Sequence, residues 1–130
     1  TWNLQNPAKA YCEWYRVLKQ GGTLMNFDAG WYEYLFNERK ALQFQERRRQ
    51  VSLQGTTDLN AYEEAGQMEE ISKQLYFSRH TRPESDIKLL KEAGFSSIHV
   101  DQEIWKVVWD DVQKMNNGST PCFMIQAYKK

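Results

Sequence analysis

An excess charge of either sign is missing from this sequence. Lys plus Arg and Asp plus Glu each number 17 in 130 residues, so the formal net charge is zero. That removes any global electrostatic case for nucleic acid or an anionic membrane surface as partner. Long hydrophobic runs are lacking too, since none approaches the roughly 18–20 residues of a membrane helix. Only two cysteines occur, Cys12 and Cys122. Their spacing matches no metal or redox motif and points to a reducing, cytoplasmic home. The two histidines, His80 and His99, have no carboxylate or thiol at ligand spacing, so no metal is expected. Apolar residues, by contrast, are abundant at 41%, with 14% aromatic. This suffices for one packed domain over residues 1–130 and argues against disorder.

The chain opens on Thr1-Trp2-Asn3-Leu4 without a polar lead-in. Free termini are ordinarily polar and frayed, so this opening reads as a cut inside a fold. Asn6-Pro7 is a helix start, with Asn as N-cap and Pro at the first helical position. Ala8, Tyr11, Trp14, Tyr15 and Leu18 then form one stripe, and Gly21-Gly22 supply a left-handed stop. Thr23 to Asp28 reads as a buried strand, and Trp2 to Leu4 as the tail of a strand before it. Helical periodicity follows from about Tyr34 to Val51, with Tyr34, Ala41, Phe44 and Val51 on one face. A second helix is expected from about Leu59 to Leu75, carrying Ala61, Ala65, Met68, Ile71 and Leu75 inward. These two helices read as an insertion over about residues 34–77. Asp86 to Ala93 is a short helix, with Ile87, Leu90 and Ala93 inward and Gly94-Phe95 as its stop. Ser97 to Asp101 and Cys122 to Tyr128 are the last two strands, expected to pair antiparallel. Lys106 to Lys114 fits a short helix or an irregular excursion.

Ligands of open α/β sheets bind beyond the carboxyl ends of the strands. Asp28-Ala29-Gly30-Trp31-Tyr32 follows one such end and Trp2-Asn3-Leu4 the other, so both segments belong on one rim. Trp31, Tyr32 and Tyr34 wall a pocket, or face a cation, or simply anchor the helix that follows to the sheet. In Arg47-Arg48-Arg49 successive residues point in different directions on a helix, and Glu46 adjoins them, so a solvated face is expected.

Glu13-Trp14-Tyr15-Arg16-Val17-Leu18-Lys19-Gln20-Gly21-Gly22-Thr23-Leu24 resembles a phrase in class I S-adenosylmethionine-dependent methyltransferases. There a helix ends in a similar Arg-Val-Leu-Lys-Pro-Gly-Gly and runs into the fifth strand. Gln20 stands here where Pro is usual. Asp28-Ala29-Gly30-Trp31-Tyr32 is similar to the segment after that strand, with Gly30 in place of the usual Asn. Arg82-Pro83, Leu90, Gly94-Phe95 and Thr120-Pro121-Cys122-Phe123 resemble the family's late helix and its final antiparallel strands.

The resemblance implies an α/β fold, namely the last strands of a partial Rossmann-like methyltransferase sheet with a helical insertion. It implies S-adenosylmethionine as cofactor of a parent enzyme, a transferase acting on a small molecule. Trp2, Asn3, Leu4, Asp28, Trp31 and Tyr32 would form the substrate and cofactor rim, with Asp28 as the best candidate base if one is needed. The family holds its cofactor through a Gly-rich loop and an acid ending the second strand, because close backbone approach needs residues without a Cβ. None of the seven glycines here forms Gly-x-Gly. The chain is therefore expected to be a C-terminal fragment, inactive alone, that self-associates through exposed edges. Two alternatives remain: a non-catalytic α/β interaction module, and a degenerate methyltransferase subunit that scaffolds an active partner.

Overall fold

A computed structural model describes all residues, Thr1–Lys130. Helix α1 (Pro7–Val17) begins as its sequence dictates, with the Asn6 side chain accepting from the Lys9 N–H at 2.9 Å. It ends earlier than the glycines suggest, because Leu18 is already extended. Gly21 takes φ +76° in the turn beyond. The freed carbonyls of Tyr15 and Leu18 accept from Lys129 Nζ at 2.6 and 2.8 Å, a cation placed at the negative end of a helix.

Strand β1 (Thr23–Asp28) follows, then a 3-10 turn (Glu33–Leu35) and α2 (Glu38–Leu53). Next come α3 (Ala65–Ser72), the short α4 (Tyr76–Arg79), α5 (Glu84–Glu92) and β2 (Ser96–Asp101). The chain closes with α6 (Trp105–Val108), α7 (Asp111–Asn117) and β3 (Phe123–Tyr128). Helix α5 stops as Gly94-Phe95 predict: Gly94 takes φ +104°, and the Phe95 N–H reaches the Leu90 carbonyl at 3.0 Å. No helix is long and apolar enough to cross a membrane.

The fold is mixed α/β, and its three-stranded sheet is antiparallel in the order β1-β3-β2. The expected β2–β3 pairing is present. The last strand does more than the sequence suggested, because it also pairs along the whole of β1 and so sits at the centre. The core lies on one sheet face, where Tyr11, Phe77, Leu89, Leu90, Phe95, Phe123, Ile125 and Ala127 are buried together. On the opposite face Met25 and Phe27 are about half exposed (53% and 50%).

Several expectations need correction. Trp2 to Leu4 is a turn, with the Leu4 N–H bonded to the Thr1 carbonyl at 3.1 Å, and no strand there pairs with β1. Tyr34 belongs to the 3-10 turn rather than to the helix of Phe44 and Val51. Leu59 to Glu64 is irregular, and α3 starts only at Ala65. Its inward residue is Ser72, fully buried, while Ile71 is 56% exposed. Ala8 is exposed rather than inward. In α5 Asp86 and Leu89 join Leu90 inside, where apolar periodicity had favoured Ile87. Lys106–Lys114 resolves into α6 and α7, with Asp110 and Gln113 forming a reciprocal capping box.

Asp86 is buried because of Arg82, whose side chain is itself sealed from solvent. Its Nε and Nη2 donate to the two Asp86 oxygens at 2.9 and 2.7 Å, and its Nη1 donates to Asp28 Oδ2 at 2.7 Å. Tyr11 donates to Asp86 Oδ1 at 2.6 Å, and Phe77 lies 4.0 Å below the guanidinium. Burial alone would push the Asp28 carboxyl up, but Arg82 and the Thr1 hydroxyl outweigh it and hold the group below its usual value.

Two outcomes follow from this arrangement. Arg82→Met strands two buried carboxylates and is expected to cost about 3–5 kcal/mol in urea unfolding. Asp28 has a depressed folded pKa, so its contribution is complete above its unfolded pKa of about 3.9 and is lost as pH falls through the folded value. Unfolding midpoints measured from pH 7 downward are expected to drop below about pH 4, and less steeply in Asp28→Asn.

Candidate functional site

The carboxyl end of β1 is tied down on both sides. Asp28 Oδ2 accepts from the Trp2 N–H at 2.7 Å as well as from Arg82 and the Thr1 hydroxyl. Oδ1 accepts from the Ala29 N–H at 2.9 Å and the Trp31 indole at 3.1 Å. A buried carboxylate whose lone pairs are so fully occupied, and whose pKa is lowered, is built to position its neighbours. It fixes Trp2 and Trp31, one from each predicted rim segment.

Gly30 comes next, at a position with no room for a side chain. A Cβ there would run into Glu33 Oε1, which accepts the Arg82 N–H at 2.9 Å. The other Glu33 oxygen is paired with Lys40 at 2.5 Å. The turn after β1 is thus clamped to α2 and to the start of α5 by one buried acid.

Trp2, Trp31 and Tyr32 meet at a cavity of about 400 Å³, within the size range of small-molecule sites. The remaining wall comes from the segment between residues 34 and 69. Tyr34 and Phe44 stack nearly parallel, 4.0 Å between centroids, and Tyr34 and Tyr32 lie 5.9 Å apart. Trp2 and Tyr32 extend the same row at 5.3 Å. Tyr62 stands at the edge, and the Tyr34 hydroxyl donates to Glu69 Oε1 at 2.7 Å. Burial, with the neighbouring Tyr62, pushes the Tyr32 phenol up to about 12. Burial and Glu69 raise Tyr34 as well. Both phenols are therefore neutral donors at physiological pH.

Arg48 closes one end. It binds Asp58 and the side-chain and main-chain oxygens of Asn116, and its guanidinium lies 5.4 Å from the Phe44 centroid. Asn116 is buried with every side-chain hydrogen-bonding position used. Its amide donates to the Thr57 and Val112 carbonyls at 2.8 and 3.0 Å, and its oxygen accepts from the Leu59 N–H at 2.9 Å and from Arg48 at 3.0 Å. Asn116 thus holds the start of the irregular wall at Leu59, and Arg48 holds it through Asp58, which accepts from the Asn60 N–H at 2.8 Å.

Of the six rim residues, Trp2, Trp31 and Tyr32 line the cavity, and Asp28 anchors two of them from below. Asn3 is exposed and Leu4 half-buried, and neither lines it. Arg49 does face solvent and pairs with Glu46, but Arg48 turns inward, against the expected solvated face. Glu69 carried no sequence signal, because its partner Tyr34 is 35 residues away. His80 stacks on Tyr76 at 3.8 Å, and His99 is exposed on β2.

No family model, curated protein or solved structure matches the chain.

Removing the Asn116 amide is expected to loosen the cavity wall more than the core. Asn116→Ala leaves the Leu59 N–H and Thr57 carbonyl unpaired, a loss of about 1–3 kcal/mol. Hydrogen exchange at the Leu59 amide is expected to accelerate while the β3 amides keep their protection.

Proposed function

We propose that this chain is the acceptor-binding, C-terminal part of a cytoplasmic S-adenosylmethionine-dependent methyltransferase acting on a small molecule. What carries the reading is the meeting of Trp2, Trp31 and Tyr32 at one cavity beyond the carboxyl end of β1. That strand is entered through the Arg16-Val17-Leu18-Lys19-Gln20-Gly21-Gly22 phrase. An order in which a central antiparallel strand separates two parallel ones, β1-β3-β2, is also in keeping with the end of a Rossmann-like sheet.

The chain's own residues do not fit a cradle for the cofactor. A diphosphate- or nucleoside-binding turn needs glycines at which backbone approaches ligand, yet no glycine lines the aromatic cavity and Gly30 is filled by Glu33. On this reading the cofactor's methyl donor is held elsewhere in the parent enzyme. These residues bind and orient the acceptor and keep water from it, which is the positioning half of a bimolecular transfer. Asp28 contributes through Trp2 and Trp31.

The chain alone is expected to show no heat of S-adenosylmethionine binding in calorimetry and no methyl transfer. The native reading frame upstream of the Thr1 codon is expected to encode, in about 100 residues or more, a strand, a Gly-x-Gly-x-Gly loop and a later acid. The protein including that region is expected to bind the cofactor and transfer methyl. An upstream frame without those glycines overturns the reading in favour of a non-catalytic α/β interaction module.

We further propose that a second copy pairs against the open edge of β1. That edge has no neighbouring strand, and Met25 and Phe27 lie half exposed beside it. Light scattering across protein concentration is expected to show mass rising above the monomer, and Met25→Lys with Phe27→Lys to return it to the monomer.

A further inference from the structure

Half of the residues in the cavity wall are aromatic, and its charges do not cancel. Arg48 is neutralised by Asp58 and held by Asn116. Glu69 belongs to no ion pair. Its Oε1 accepts from Tyr34, and its Oε2 has no hydrogen-bond partner. Its half-buried carboxylate, with one free oxygen, lines the same cavity as Trp2, Trp31, Tyr32, Tyr34 and Tyr62 and leaves one uncompensated negative charge in that wall.

We propose that this cavity grips an organic ammonium group, quaternary or protonated, carried by the small molecule that occupies it. Ring quadrupoles present their negative faces to a cation, and each desolvated contact adds to the attraction of the carboxylate. The same row already holds one cation at its far end, where Arg48 lies over Phe44. A neutral ligand could at most donate a hydrogen bond to Glu69 Oε2 and would leave its charge uncompensated, and an anionic one would be repelled by it. Arg48 Nε is without a partner but sealed from solvent, and both terminal nitrogens are already engaged by Asp58 and Asn116. Naming this molecule as the methyl acceptor rests on the reading above, whereas the charge preference belongs to the cavity itself.

The test compares three probes of one shape: choline, its uncharged isostere 3,3-dimethylbutan-1-ol, and the anion 3,3-dimethylbutanoate. Each is titrated into the 130-residue chain while the fluorescence of the tryptophans at the cavity is followed. Choline is expected to bind about tenfold or more tighter than the alcohol, with the anion weakest. Glu69→Gln keeps an acceptor for Tyr34 and is expected to cut the advantage of choline over the alcohol about threefold or more, the rings retaining the remainder, while the alcohol's own binding is unchanged. Equal binding of choline and alcohol in the unaltered chain overturns the proposal, as does tightest binding of the anion or binding of none. Displacement of choline by S-adenosylmethionine but not by S-adenosylhomocysteine would show that the cavity reads a sulfonium, and would overturn its assignment to the acceptor. Failure of methyl transfer by the longer protein sinks the methyltransferase reading and leaves the probe ranking untouched, so the two are told apart.

Discussion

A single buried guanidinium organises this protein. Arg82 is enclosed between two carboxylates from different elements, Asp28 at the end of β1 and Asp86 on α5, with the Phe77 ring beneath it. None of these charges can be left alone in a low-dielectric interior, so the elements that carry them are fixed relative to one another. Tyr11 on α1 joins through Asp86, and the Arg82 main-chain N–H joins through Glu33. One cation thereby links α1, β1, the turn after it and the start of α5.

That linkage reaches the cavity. Asp28 Oδ2 accepts from both Arg82 and the Trp2 main-chain N–H, and Oδ1 from the Trp31 indole, so the Trp2 backbone and the Trp31 ring inherit the rigidity of the core. The opposite wall has a different support, since Leu59–Tyr62 lacks regular structure and depends on Asn116 and Arg48. A pocket with one wall fixed by a fully buried ionic network and the other by an amide and a partly exposed ion pair has an evident direction of give. The aromatic row running from Trp2 to Phe44 joins the two walls.

Much of the framework was legible in the sequence. Thr23–Asp28 as a strand follows from a short apolar run bounded by turn residues, and the stop of α5 follows from Gly94-Phe95. The expected rim was partly legible too, because Trp31 and Tyr32 lie just beyond a strand end. The helices between 34 and 77 were less so. Their apolar periodicity is weak, and the Thr57 carbonyl and Leu59 N–H are satisfied by Asn116, a residue more than fifty positions away. Ile71 looked inward by hydrophobicity, yet Ser72 is the residue enclosed. Trp2–Leu4 failed as a strand because no partner strand lies beside it, and its backbone closes on itself as a turn.

The sequence by itself determined what local chemistry can determine: helix caps at Asn6 and Gly94, three strands, and aromatics placed after a strand end. These depend on neighbours within a few positions, where spacing and side-chain type settle the outcome. Only the tertiary structure decided that β3 is the central strand, that Arg82 is a buried ion, that Arg48 turns inward, and that Glu69 shares one cavity with the aromatic row. Each depends on a contact between distant positions, and burial of a charge is governed by the partner that arrives and not by the residue that bears it.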